Sequence, residues 1–255
     1  MTDKGTVSST TKNNITFIEF HHPKGNSLPG TLLKRITEAI IKAGKGKNSA
    51  VIVLQSCGQG AFCAGASFDE MLEINDFEES KHFFMGFAHV INAMRTCPKF
   101  IITRVQGKAV GGGVGIAAAS DYIFAHSSAS VRLSEISMGI GPFVVGPAVR
   151  RKIGISAFSA LALDARNEYS AEWALEKGLY SKIVNSREEL NEAVRRLAEE
   201  VASSNSEAMK ELKQILWQGT GHWDATLEQR AEISGRLALS EFTKESIKEF
   251  KNMSS

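Results

Sequence analysis

The sequence predicts an α/β fold that closes with a run of helices, and three observations carry that expectation. Short β-branched or wholly apolar runs recur through the first two thirds of the chain. Most are followed by glycine-rich turns and then by apolar residues at helical spacing, the alternation that builds a sheet with helices packed on it. From about Ser186 onward the strand signal stops and only the helical period remains. With 255 residues, 43% of them hydrophobic and 23% charged, the chain can bury a core without a metal or disulfide staple.

The elements follow in order. Ile15-Thr16-Phe17-Ile18-Glu19-Phe20 reads as the first strand. Asn26 to Gly30 is turn chemistry, after which Leu32, Leu33, Ile36, Ile40 and Ile41 fall on one helical face. Ala50-Val51-Ile52-Val53-Leu54 is a wholly apolar strand, the kind covered on both faces. A loop with Gly58, Gly60 and Gly65 leads to a helix whose Phe83, Phe84, Phe87, Val90, Ile91 and Met94 line one side. Pro98 ends it before the strand from Phe100 to Val105. A second glycine turn, Gly111-Gly112-Gly113, opens a helix of small residues, Val114 to Ser120, and Tyr122-Ile123-Phe124-Ala125 is the next strand. Leu190, Val194, Leu197 and Val201 begin the helical tail. The expected division is a core over 1–200 and a helical subdomain over 201–255.

Several function classes fall away. The net charge is +2, from 30 basic and 28 acidic residues, which argues against nucleic acid as a partner. No apolar run reaches the roughly 18 residues a membrane span needs, so no membrane partner is expected. The polar start, Met1 to Asn14, lacks a secretory core and contains no arginine, and Asn252-Met253-Ser254-Ser255 is not a peroxisomal tripeptide. Cys57, Cys63 and Cys97 fit no zinc or C-x-x-C spacing and read as reduced thiols of a cytoplasmic protein. No G-x-S-x-G elbow or G-x-G-x-x-G fingerprint is present, and Gly44 to Ser49 misses the phosphate-loop spacing. His21 and His22 read as surface or capping residues rather than metal ligands.

Two segments remain, Gly60 to Asp69 and Val105 to Gly115, each placed after a strand and before a helix. Small residues opening a helix leave main-chain N–H groups unpaired, and the helix dipole adds positive charge there. Two such termini brought together would supply two donors to one oxygen, an oxyanion hole built from backbone. Tight turning and close helix packing are the competing explanation for the same glycines.

The residues that carry a resemblance are Ala61-Phe62-Cys63-Ala64-Gly65-Ala66, the Gly107 to Gly113 turn ending in Ala118-Ala119-Ser120-Asp121, and Leu133 to Ile140. On these the chain, from about Ile15 to Phe250, resembles the crotonase superfamily, also called the enoyl-CoA hydratase/isomerase family. The resemblance implies a crotonase-like spiral of ββα units with a C-terminal helical subdomain. It also implies a homotrimer or dimer of trimers. It assigns the oxyanion donors to the N–H groups of Ala66 and Gly112, and places Ala64 near the adenine of coenzyme A. It makes Glu135 the acid/base, and implies an acyl-CoA thioester as substrate. Coenzyme A then enters with the substrate, and no separate cofactor or metal is expected.

One position departs from the family pattern. Two-glutamate hydratases carry a second carboxylate three residues after the oxyanion glycine, and here Gly115 stands there. A single carboxylate suffices to move a double bond, taking a proton from C2 and returning it at C4, but leaves the water of a hydration unoriented. Met138 to Phe143 also resembles the stretch found in Δ3,Δ2-enoyl-CoA isomerases, and Phe242 to Lys248 is less specifically similar to theirs. The expected activity is therefore isomerisation. Hydration, with Asp69, Glu70 or Asp121 as spare carboxylates, and non-catalytic acyl-CoA binding are the alternatives. Asp121 is more simply a helix terminator. Ser67 replaces an aspartate common in relatives. Ile140, Phe143, Val144 and Phe87 are the expected acyl-pocket walls, apolar enough to raise the pKa of Glu135. Lys24, Lys210 and Lys213 are candidates for the phosphates of coenzyme A, although a solvated helix face explains the last two equally well.

Overall fold

Six strands form the main sheet in the computed structural model, which describes residues 5–253. The parts of the polar start and of the chain end that fall in 1–4 and 254–255 lie outside the described residues. The chain opens with β1 (Thr6–Lys12), β2 (Ile15–His21), α1 (Gly30–Lys45) and β3 (Val51–Ser56). Next come α2 (Phe68–Glu73), α3 (Phe77–Thr96), β4 (Phe100–Val105), β5 (Ala109–Val110) and α4 (Gly112–Ala118). After β6 (Tyr122–His126) and β7 (Ser130–Arg132), a 3₁₀ turn (Glu135–Met138) leads to α5 (Gly146–Leu163). The rest is β8 (Tyr169–Ser170), α6 (Ala171–Glu176), β9 (Lys182–Val184) and the helices α7 (Arg187–Ala202), α8 (Ser206–Leu216), α9 (Trp223–Ala238) and α10 (Glu241–Met253).

The main sheet runs β1-β2-β3-β4-β6-β9, with β1 antiparallel to β2 and every other pair parallel. Its central strands β3 and β4 are apolar on both faces because both faces are covered, as expected for β3. Ile52 and Leu54 of β3 join one hydrophobic cluster with Leu33 and Ile36 of α1 and Ile91 and Met94 of α3. Val51 and Val53, one residue out of step, join a second cluster with Leu190, Val194 and Ala198 of α7. Burying each large aliphatic side chain contributes about 1.5–3 kcal/mol, so the two layers hold the sheet from both sides. α9 packs along α3 and adds Leu227 and Ala231 to the first cluster.

Ile15–Phe20 proves to be the second strand, not the first. β1 precedes it, paired from Thr6↔His21 to Lys12↔Ile15. Asn13 and Asn14 make the connection at φ 51° and 62°, a two-residue turn with both central residues left-handed. The strand was overlooked because its side chains are mostly exposed and polar. The signal for it was present in the Asn-Asn pair after alternating Val7, Ser9 and Thr11.

A second sheet, β5-β7-β8, is small and decisive. β5 and β7 pair in parallel, Ala109↔Val131 and Val110↔Arg132. β5 runs straight into Gly111 and Gly112, and β7 runs into Glu135 within three residues. Their pairing therefore sets the second glycine turn beside the glutamate, although 23 residues separate Gly112 from Glu135 in sequence.

Candidate active site

The two glycine-rich loops are zipped together through their backbones. Cys63 N–H donates to the Lys108 carbonyl (3.2 Å) and Val110 N–H donates to the Cys63 carbonyl (2.9 Å). On the other side of the first loop, Leu28 N–H donates to Gly65 O (2.8 Å) and Ser67 N–H donates to Leu28 O (3.3 Å). In extended backbone, successive amides alternate sides, so the Ala66 N–H between these two bonds is turned away from Leu28. Gly111 N–H donates to Arg132 O (2.9 Å), which fixes the second loop and leaves Gly112 as the first helical residue of α4. Its N–H is one of the donors every helix N-terminus leaves over. No described residue accepts from the N–H of either Ala66 or Gly112. Ser67, the expected oddity, is the cap of α2 and accepts from Glu70 N–H.

Glu135 opens a single 3₁₀ turn that Gly139 closes in left-handed conformation, with Ile140 N–H donating to the Glu135 carbonyl (3.1 Å). The carboxyl lies against Gly111. A Cβ at that position would sit 3.1 Å from Glu135 Oε1, and Gly111 has φ 51°, so both space and conformation call for glycine there. Glu135 Oε2 is buried and without a hydrogen-bond partner.

A single cavity joins these groups. Ala64, Ala66, Gly112 and Glu135 line it, as do all four expected wall residues, Phe87, Ile140, Phe143 and Val144. Phe84, Met71, Met138 and Val145 complete much of the apolar lining. Phe84 was legible on the apolar face of its helix, whereas nothing in the sequence singled out Met71 or Val145. Burial in these surroundings raises the Glu135 pKa to about 7, against a weaker pull downward from the Arg132 charge. A carboxyl so placed can both accept and give up a proton near neutrality.

A model of the enoyl-CoA hydratase/isomerase family matches residues 10–254, almost the whole chain. The chain belongs to that family, the crotonase superfamily. Among similar proteins, a short-chain-enoyl-CoA hydratase of Clostridium acetobutylicum is 29% identical over 239 residues, 92% of this chain and 90% of its own. A peroxisomal bifunctional enzyme of Pongo abelii is 30% identical over 231 residues, covering 89% of this chain but only 31% of that protein. The chain thus spans about a third of the length of such bifunctional relatives. The crystal structure of an enoyl-CoA hydratase from Bacillus halodurans superposes with a TM-score of 0.88 at 25% identity, covering 95% of this chain and 99% of that one.

Within this crotonase fold, the departure at Gly115 has a structural cause. A Cβ on Gly115 would lie 2.3 Å from Cγ1 and 2.6 Å from Cβ of Val145. The start of α5 therefore fills with a valine the space into which a side chain at 115 would grow. The other carboxylates considered are elsewhere. Asp69 is paired with Lys24 and Lys251, and Glu70 accepts from Gly30 N–H (2.7 Å), so neither lines the cavity. Asp121 accepts from Ile101 N–H (2.7 Å) and Trp217 Nε1–H (2.8 Å) and pairs with Lys213. It is a buried anchor for α8 rather than a simple helix terminator.

Lys213 needs the matching correction. Its side chain is 2% exposed, so it lies neither on a solvated face nor within reach of an incoming phosphate. Lys210 is exposed on α8, and Lys24 is held by Asp69. Among the described residues no basic side chain lines the cavity, no group of three or more His, Cys, Asp or Glu could hold a metal ion, and no helix is long and apolar enough to cross a membrane.

Proposed function

We propose that this chain is a Δ3,Δ2-enoyl-CoA isomerase working with one proton shuttle, Glu135. The observation that carries the reading is the contact between Gly115 and Val145. Among the described residues a single carboxyl lines the cavity, and an aliphatic side chain occupies the place where a second would project. The thioester carbonyl oxygen accepts from the N–H groups of Ala66 and Gly112, and the coenzyme A adenine lies toward Ala64. Glu135 removes a proton from C2, the electrons of that bond form C2=C3, and the C3=C4 pair takes the proton back from Glu135 at C4. The carbonyl oxygen gains charge between those two transfers, so donors already aimed at it bind the transition state better than the substrate. Each such donor is worth about 10²–10³ in rate.

A second reading, hydration of a 2-enoyl-CoA in the same cavity, is favoured by the names of the hydratase relatives. The test offers purified protein a 3-enoyl-CoA and a 2-enoyl-CoA separately. Conversion of the first to the 2-enoyl product, with little 3-hydroxyacyl-CoA formed from the second, is the expected result. Faster hydration of the second substrate would overturn the isomerase assignment, and tight binding with no turnover of either would make the chain a binder. The reading carries with it a cytoplasmic enzyme that assembles as a homotrimer or dimer of trimers. Exposed Ile155, Leu163 and Ile215 support self-association, and sedimentation equilibrium measures it.

A further inference from the structure

The cavity has more hydrogen-bonding capacity than proton transfer uses. Only Ser134, Glu135 and Ser234 among its lining residues carry a side-chain oxygen or nitrogen. Ser134 adjoins the base. Ser234 comes from α9, the helix packed along α3, whose Phe84 and Phe87 form part of the apolar wall. Ser234 is 1% exposed, and no described residue shares a hydrogen bond with its hydroxyl. Helical hydroxyls of this kind commonly donate to the carbonyl one turn earlier. Thr37 does so to Leu33 (2.9 Å) and Thr226 to His222 (3.1 Å), the latter on α9 itself. Ser234 makes no such bond, so its donor and acceptor are left for whatever fills the cavity.

The charge around it narrows what that occupant can be. Among the described residues no lysine, arginine or histidine lines the cavity, and the one ionisable lining group is an acid. A carboxylate on the acyl chain would lose its hydration without a counter-charge and would share the space with Glu135. An uncharged oxygen would lose only water and would gain the Ser234 hydroxyl.

We propose that Ser234 is a specificity-determining residue that favours acyl-CoA thioesters whose acyl chain carries a neutral hydroxyl or ketone over unsubstituted and carboxylated chains. The inference rests on the acyl-CoA reading but not on the choice between isomerisation and hydration. The test therefore uses saturated thioesters, which cannot turn over by either route. Calorimetric titration compares hexanoyl-CoA, its hydroxylated analogues at C4, C5 and C6, and adipoyl-CoA. At least one hydroxylated analogue binds about three- to tenfold tighter than hexanoyl-CoA. Adipoyl-CoA binds weaker on the order of a hundredfold.

Ser234→Ala removes the hydroxyl preference and leaves hexanoyl-CoA affinity within about twofold, as expected for loss of one neutral hydrogen bond. Ser80→Ala is the control. Ser80 Oγ is a second buried hydroxyl without a partner, on α3 and outside the cavity lining, and its removal keeps the preference. A wild-type protein with no preference, or a preference that survives Ser234→Ala, overturns the inference alone. Failure of hexanoyl-CoA to bind the wild type overturns the acyl-CoA reading and the inference with it.

Discussion

Asp121 and Glu135 are both carboxylates withdrawn from water, and the protein treats them in opposite ways. Asp121 is saturated: a strand amide, an indole N–H and the Lys213 ammonium all point at it, and the ion pair is 5% and 2% exposed on its two sides. Glu135 is deprived: its Oε2 has no partner, and its surroundings are almost wholly apolar. Burial is common to the two. The number of fixed donors aimed at each carboxyl is what differs.

The largest expected consequence falls on Glu135. Glu135→Gln keeps the shape of the cavity and lowers turnover by about 10³–10⁴, while acyl-CoA affinity survives, measured by steady-state kinetics beside titration. Full activity in this variant would erase the contrast. Next in size is Asp121→Asn, which strands a buried lysine. It should cost about 3–5 kcal/mol in urea unfolding, with activity retained at temperatures where the protein stays folded.

The pH dependence of stability comes third. The folded state holds the Glu135 proton more tightly than the unfolded chain, where the ordinary value is 4.5, because its pKa rises to about 7. The contribution is therefore fully present below about pH 4.5 and is lost as pH climbs through about 7, a change of about 3 kcal/mol. Glu135→Gln should flatten that fall, so the difference in unfolding free energy between variant and wild type grows from pH 5 to pH 8. A constant difference would mean that the carboxyl is better solvated than its position implies. The smallest effect belongs to Gly115→Ala, about 1–3 kcal/mol of destabilisation from overpacking against Val145. Val145→Ala in the same chain should recover most of it.

Much of this was legible in advance where the relevant information is local. The wholly apolar run at β3 announced a strand covered on both faces, and alternate residues do go to two separate clusters. The two glycine loops, the resemblance around Glu135 and the four apolar residues named for the pocket all meet at one cavity. What escaped is what depends on which element arrives opposite which. Gly115 announced that something approaches closely, but not that Val145 does so. The helical pattern placed Lys213 on a helix without revealing that Asp121 waits beneath it. Ser234 was a polar residue in a helical tail, and only the packing of α9 on α3 makes it part of the cavity. β1 was missed for a different reason: an exposed edge strand needs few apolar residues, so the hydrophobic pattern is silent there.

Gly139, which closes the turn under Glu135, is itself overlain by α10. A side chain there would run into Phe242 and Thr243, and Thr243 and Ile247 of the same helix are sealed inside the protein. The turn that carries the Glu135 carboxyl is thus braced by residues more than a hundred positions downstream. Trimming or tagging that end of the chain would let water reach the turn, and the acid strength of a group laid down mid-sequence would be reset from its far terminus.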